Sequence, residues 1–249
     1  IGTPNTNIRS VMQRNANPEK LTEVTAHNLA ALEKMIDYNR KNDIKLFRIS
    51  SDLIPFGSSP VNALPWWDIH AEAFQHIGAT IRKSGMRVSF HPGQYTVLNS
   101  PDEDVVARAI LDLAYHAKML ECLGVDNQHK IVLHVGGIYG DKKEALDRFA
   151  ENFQRLPESV QYRLIIENDD RLYNSEEVLE LTNRLQIPSV FDNLHHAINP
   201  PPSGGDDRYW IAAAAKTWKA RDGKQKIHYS QQAPGKRPGA HTDTIQLDT

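Results

Sequence analysis

RLIIE, residues 163–167, is a short apolar run rich in β-branched residues that stops on a carboxylate, Glu167. Its length and composition are those of a buried strand. Four more runs end in the same way: RVSF (87–90) on His91, KIVL (130–133) on His134, PSVF (188–191) on Asp192 and QKI (225–227) on His228. A helical stretch separates each from the next, so the strands should be parallel and joined by helical crossovers. In a barrel of parallel strands, the C-terminal strand ends open together on the face where active sites are built. One metal-capable residue at one strand end has a bland explanation, a polar group satisfied by neighbouring backbone. Five in succession point to a polynuclear metal centre.

Working outward, Glu19 to Lys41 reads as a helix, with Leu21, Val24, Leu29, Leu32 and Ile36 near helical spacing. KLFRISS (45–51) is a further strand, followed by a long Pro- and Gly-punctuated loop through WW. Helices are expected at 69–83, stopped by Gly85, at 102–123, at 142–154 and from about Ser175. An alanine-rich helix should then run to Trp218. That gives six strands, whereas a closed (β/α)8 barrel needs eight. The expectation is one TIM-type α/β barrel domain over 1–249, lacking its first and last strands. A complete six-stranded open sheet is the competing reading.

Composition narrows the function classes. With 40% hydrophobic and 24% charged residues, the chain has the make-up of an ordinary soluble globular protein. It carries neither a membrane-length apolar stretch nor a signal-like opening. The single cysteine, Cys122, sits in a helical stretch, so a disulfide framework is excluded and a reducing, cytoplasmic setting is expected. A formal net charge of −2 argues against a strongly basic nucleic-acid coat. Basic residues nonetheless gather late, in KTWKARDGKQK and GKRPGAH, which leaves a nucleic-acid partner open.

His, Glu and Asp ligands without cysteine suit Mn²⁺, Zn²⁺, Fe²⁺ or Mg²⁺. Glu167, on the central strand of the series, is the natural bridging carboxylate. Asp192 is reinforced by His195 three residues on, and of His195 and His196 one should be structural. His241 stands evenly between surface residue and ligand, while His27, His70, His76, His116 and His129 read as packing or surface residues. Lys226 shares a strand face with His228 and would look inward, where an unpaired ammonium is costly. Either metal-site carboxylates neutralise it or its amine is modified into an anionic ligand. In HPGQY, Gln94 and Tyr95 could act as an amide-plus-ring probe inserted into a base stack. On the residues alone, a loop aromatic lying on its own barrel is the better reading. GGIYG (136–140) is a weak phosphate signal without a P-loop lysine.

RISSDLIPFGS, SFHPGQYTVLNSP, LHVGGIYGDK, IENDDRLYN, FDNLHHAINP and KIHYSQQ…KRPGAH, in that order, resemble the ultraviolet damage endonucleases. The resemblance implies a TIM barrel of the xylose isomerase and endonuclease IV kind, with two or three divalent cations, manganese first and magnesium or zinc next. It implies nicking of UV-damaged double-stranded DNA immediately 5′ of pyrimidine dimers and 6-4 photoproducts, leaving a 3′-hydroxyl. By matching motif, it places metal ligands at His91, His134, Glu167, Asp192, His195, His228 and His241. It places a carboxylated lysine at Lys226 and the lesion probe at Gln94 and Tyr95. Glu167, Lys226 and His228 become the catalytic set, in a monomer with no obligate protein partner.

Three departures stand out. FGSSP puts Ser59 where many relatives have histidine, and neither the family's first strand nor its glutamate-bearing last strand is recognisable. Two other functions stay in play: a sugar or sugar-phosphate isomerase on the same barrel, and a non-catalytic damaged-DNA-binding fragment.

Overall fold

The computed structural model describes residues 6–246. Contacts within the chain divide it into two compact units. The first runs to Tyr95 and takes in Ala107–Ile131; the second holds Thr96–Val106 and the chain from Val132 onward.

The first unit opens on α1, Pro18–Lys41. Asn17 caps it by accepting from the Lys20 amide at 2.8 Å, and Pro18 fills the first turn, where no amide hydrogen is needed. The expected stripe of Leu21, Val24, Leu29, Leu32 and Ile36 is buried, each residue at 3% exposure or less. Then come β1 (Leu46–Arg48), α2 (Trp66–Ile69), α3 (Ala71–Ser84) and β2 (Arg87–Phe90). The sequence suggests one helix over 69–83. The structure breaks it at His70, whose non-helical backbone ends α2 and precedes α3. Gly85 closes α3 in the left-handed conformation, φ 64°, which costs glycine no Cβ clash. Helix α4, Glu103–Cys122, begins in the second unit and continues in the first, and β3, Lys130–Leu133, runs from the first into the second.

The second unit continues with α5 (Lys142–Phe153), capped by the Asp141 side chain, and α6 (Glu158–Gln161). Next are β4 (Leu164–Glu167) and α7 (Ser175–Leu185), whose cap is Asn174, in a box with Glu177. Strand β5 (Ser189–Asp192) runs directly into α8 (Asn193–Ile198), followed by α9 (Asp207–Ala215) and β6 (Ile227–His228). The alanine-rich helix stops at Ala215, short of Trp218, because the next residues turn to serve β5. Thr217 Oγ1 accepts from the Ser189 amide and Trp218 Nε1 donates to the Ser189 carbonyl, both at 2.8 Å.

All six strands follow chain order, β1-β2-β3-β4-β5-β6. The pairs with a resolved register are parallel, with Phe47 beside Val88, Phe90 beside Ile131, Glu167 beside Val190 and Asp192 beside His228. Alternation along the strands then assigns the faces. In the second unit Val132, Ile165 and Val190, all at 1% exposure or less, form one core cluster. Two residues further along the same faces stand His134, Glu167 and Asp192. On the opposite face Phe191 packs with Trp210 and Ala214 of α9. The apolar layer therefore fixes which way the candidate ligands point. A register slip of one residue in β4 or β5 would bury the carboxylates against α7 or α9. The end strands are less covered: Leu46 is 61% exposed in β1 and Ile227 44% in β6.

Candidate metal centre

Glu167 ends β4 with its side chain only 2% exposed, and Asp192 ends β5 with its side chain at 4%. His228, brought beside Asp192 by the β5–β6 register, donates from Nδ1 to Glu167 Oε1 at 2.7 Å. Glu167, Asp192 and His228 each offer a ligand atom, and all three atoms lie within 4.8 Å of one another. Two buried carboxylates in one place are costly unless a counter-charge is near. Two carboxylate oxygens and an imidazole nitrogen, with no thiolate, form a donor set for a hard or borderline divalent cation. The residues present thus fit a metal ion.

Two more histidines of the second unit flank this trio. His134, just past β3, donates from Nδ1 to the Glu167 carbonyl at 3.3 Å, and its Nε2 lies 3.9 Å from Glu167 Oε2. His195 donates from Nδ1 to the Asn168 carbonyl at 2.9 Å, which fixes its tautomer and leaves the lone pair on Nε2. Its Nδ1 is 3.8 Å from Glu167 Oε1, and its ring centre is 5.7 Å from that of His134. His195 is held there by local chemistry: Asp192 Oδ1 accepts from the His195 amide at 2.9 Å, so the strand-end carboxylate also starts α8. His241 is exposed, and its ring lies 6.4 Å from that of His195. His196, its neighbour in sequence, is 6% exposed and bonds instead to Ser175 Oγ and the Gly205 carbonyl, a structural role. Lys226 precedes β6, half-buried rather than fully interior.

Asparagines missed in the sequence hold the strand ends in place. Asn168 is 1% exposed; its Nδ2 donates to the Asp192 carbonyl at 3.1 Å and its Oδ1 accepts from the Asp192 amide at 2.9 Å. Asn193 does the same for the exit of β6, bonding the carbonyl and amide of Ser230 at 3.1 and 2.9 Å. Each asparagine directly follows a strand-end carboxylate, in IEN and FDN, which is the signal that could have found them.

In the first unit, His91 follows β2 and is half-buried. Ser51 Oγ donates to the His91 carbonyl at 3.3 Å, and His116 Nε2 shares a 2.9 Å hydrogen bond with that hydroxyl. His116, read from sequence as packing or surface, is 1% exposed and also bonds the Asp112 carbonyl at 2.7 Å. Burial holds it below the usual histidine range against the opposing pull of Asp112. Gln94 and Tyr95 are both exposed, Tyr95 at 69%. The Tyr95 ring folds back over Gly93, where an added Cβ would sit 2.5 Å from it. It lines a cavity of about 290 Å³ together with Asp52, Phe56, Ser59 and Asp112.

Over residues 3–248 the chain matches the family described as UV-endonuclease UvdE. It is 41% identical over 246 residues to the UV DNA damage endonuclease of Clostridium perfringens (strain 13 / Type A), covering 97% of this chain and 58% of that protein. It thus spans less than two thirds of that relative's length. The solved structure of SacUVDE superposes with a TM-score of 0.91 at 38% identity, over 96% of this chain and 81% of the other. Endonuclease IV from Thermus thermophilus gives a TM-score of 0.52 at 16% identity, over 75% and 66% of the two chains, a likeness of fold alone. Both likenesses agree with the TIM-type α/β fold expected from the strand-end pattern.

Proposed function

The chain belongs to the UV-endonuclease UvdE family, and from that premise we propose that it is a metal-dependent DNA repair endonuclease. In this reading it nicks the backbone immediately 5′ of pyrimidine dimers and 6-4 photoproducts and leaves a 3′-hydroxyl. The observation that carries the proposal is the trio of buried Glu167 and Asp192 with half-buried His228, a charge-balanced seat for a divalent cation at parallel strand ends. His134, His195 and His241 are proposed as further ligands, so that two or three cations are held, manganese first and magnesium or zinc next. His91 is proposed as a ligand on the sequence reading alone. When bound, such cations polarise a phosphoryl oxygen and lower the pKa of a coordinated water.

The chain's own residues do the rest. Glu167 brings a buried negative charge shared between His228 and the flanking imidazoles. Asn168 and Asn193 hold the strand ends that carry Asp192 and His228. Lys226, two residues before His228, is proposed to contribute its amine as a carboxylated, anionic ligand. Gln94 and Tyr95 are proposed to probe the duplex: a photolesion lowers the cost of unstacking, so a ring that must unstack bases selects it. The substrate is UV-damaged double-stranded DNA. Among the described residues no helix is long and apolar enough to cross a membrane.

The test is an end-labelled duplex carrying one cyclobutane dimer, incubated with Mn²⁺ or with chelator. A Mn²⁺-dependent nick 5′ of the dimer, with an end that a polymerase extends, is expected. Cleavage of the undamaged duplex at the same rate, or none in either arm, would overturn the reading.

A further inference from the structure

The segment after β6 reads QQAPGKRPGAH, residues 231–241, and contains two Pro-Gly steps around a Lys-Arg pair. Both steps form tight turns. In Ala233-Pro234-Gly235-Lys236 the Lys236 amide bonds the Ala233 carbonyl at 3.3 Å with Gly235 at φ 68°. In Arg237-Pro238-Gly239-Ala240 the Ala240 amide bonds the Arg237 carbonyl at 3.1 Å with Gly239 at φ 82°. Proline before a positive-φ glycine is the sequence of a type II turn. The two turns are adjacent, so Lys236 and Arg237 sit at their junction.

The base of the loop is closed as well. Gln232 and His241 form an antiparallel bridge, and the Ala233 amide bonds the Ala240 carbonyl at 2.7 Å. The Gln232 side-chain amide spans the loop, donating to the Arg237 carbonyl at 2.9 Å and accepting from the Gly239 amide at 2.8 Å. Gly239 also lies against the 168–174 loop, where an added Cβ would stand 3.0 Å from Asp170 Oδ2. Little freedom remains in this backbone, yet Lys236 and Arg237 are exposed and neither makes an ion pair among the described residues. Two exposed cations side by side on a fixed backbone suit an anion that arrives from solution. Below the loop a groove of about 410 Å³ is lined by Leu194, Ala197, Tyr229, Pro234 and Thr242 among others, with no carboxylate in its wall. The loop ends on His241, whose ring centre lies 6.4 Å from that of His195.

We propose that the 232–241 loop is a preorganised clamp for the DNA sugar-phosphate backbone, with Lys236 and Arg237 each taking one phosphate beside the metal centre. The inference rests on the endonuclease reading and deepens it by assigning where the strand is held. Phosphate contacts fix register without reading sequence. The clamp should therefore act equally on damaged and undamaged duplex.

The test is the salt dependence of duplex binding, measured in chelator so that no strand is cut, with the full-length protein. Each lost phosphate contact lowers the slope of log K against log salt by about 0.9. Lys236→Ala with Arg237→Ala should therefore lower it by about 1.8 on both damaged and undamaged duplex. Lys236→Arg with Arg237→Lys should keep the slope, which separates charge from loss of fold. An unchanged slope in the alanine variant, in a protein that still nicks irradiated DNA, overturns the clamp and leaves the endonuclease reading standing. No duplex binding by the wild type in chelator overturns the clamp, whereas the endonuclease reading stands or falls on Mn²⁺-dependent nicking.

Discussion

Asn168→Ala removes one buried side chain that touches no proposed substrate, so it isolates how far the fold itself prepares the site. Asn168 spans the ends of β4 and β5, and its amide group makes two hydrogen bonds to the Asp192 backbone, at 2.9 and 3.1 Å. Asp192 is 3% exposed, so water does not readily replace the lost partner. A buried backbone group left without its hydrogen bond costs about 1–3 kcal/mol. Two such groups, with the carbonyl keeping a second lone pair, give a loss of about 2–4 kcal/mol. At roughly 2–4 °C per kcal/mol for a chain of this size, Tm should fall by about 4–16 °C. Because Asp192 is then less firmly aimed, divalent-metal affinity should fall about 10–100-fold, as for other groups that orient ligands. Thermal unfolding and a Mn²⁺ titration of wild type and variant measure both effects. A variant that melts with the wild type and binds metal equally well would refute the argument that Asn168 sets the strand ends.

Other expectations follow from the same geometry. Gln94→Ala with Tyr95→Ala should leave metal content unchanged and reduce the preference for irradiated over intact duplex in a competition binding assay; full discrimination by the double variant would remove both residues from the probe. Chelation should lower stability, because Glu167 and Asp192 then stay buried without a cation, and metal at about 100 times its Kd should restore about 2.7 kcal/mol; denaturant unfolding with and without Mn²⁺ reads this directly. Burial pushes the Cys122 thiol up to about 11 and the Tyr173 phenol up to about 12, and raises Tyr115 too. Acids with raised folded-state pKa values contribute stability that is complete below their unfolded values and lost as pH rises through the folded ones. Urea midpoints should therefore hold to about pH 9 and fall between about pH 9 and 12; a midpoint rising over that window would contradict the sign.

The legible part of this protein was the pattern of strand ends. Apolar runs of four residues stopping on a ligand predicted β2 to β5 to within a residue, because a strand covered on both faces needs a continuous apolar run. That pattern also brought Glu167, Asp192 and His228 to one place, since strands in parallel register end side by side. Helix starts were legible from the periodic stripe, as at Glu19, one residue inside the start of α1 at Pro18. The start of α7 was legible too: SEEV pointed to Ser175, where the helix begins, with Asn174 as its cap. The hidden part depends on partners distant in sequence. Asn168 acts on Asp192, Asn193 on Ser230 and His116 on Ser51, across 24, 37 and 65 positions. No local pattern distinguishes such residues from surface or packing ones. The break at His70 and the early end of α9 are of the same kind, since Trp218 leaves the helix to pack on Val132, Ile165 and Val190.

The central claim is that a buried cation seat built around Glu167 cuts DNA, and Glu167→Gln tests it most directly. The substitution keeps the shape of the side chain and removes the buried charge that His228 meets at 2.7 Å. The measurement is the rate of Mn²⁺-dependent nicking of irradiated supercoiled plasmid, with bound metal counted in the same preparations. The account predicts a folded variant with reduced metal content and nicking lowered by more than about 100-fold, beyond the effect of a merely orienting residue. Nicking at the wild-type rate by Glu167→Gln would contradict it.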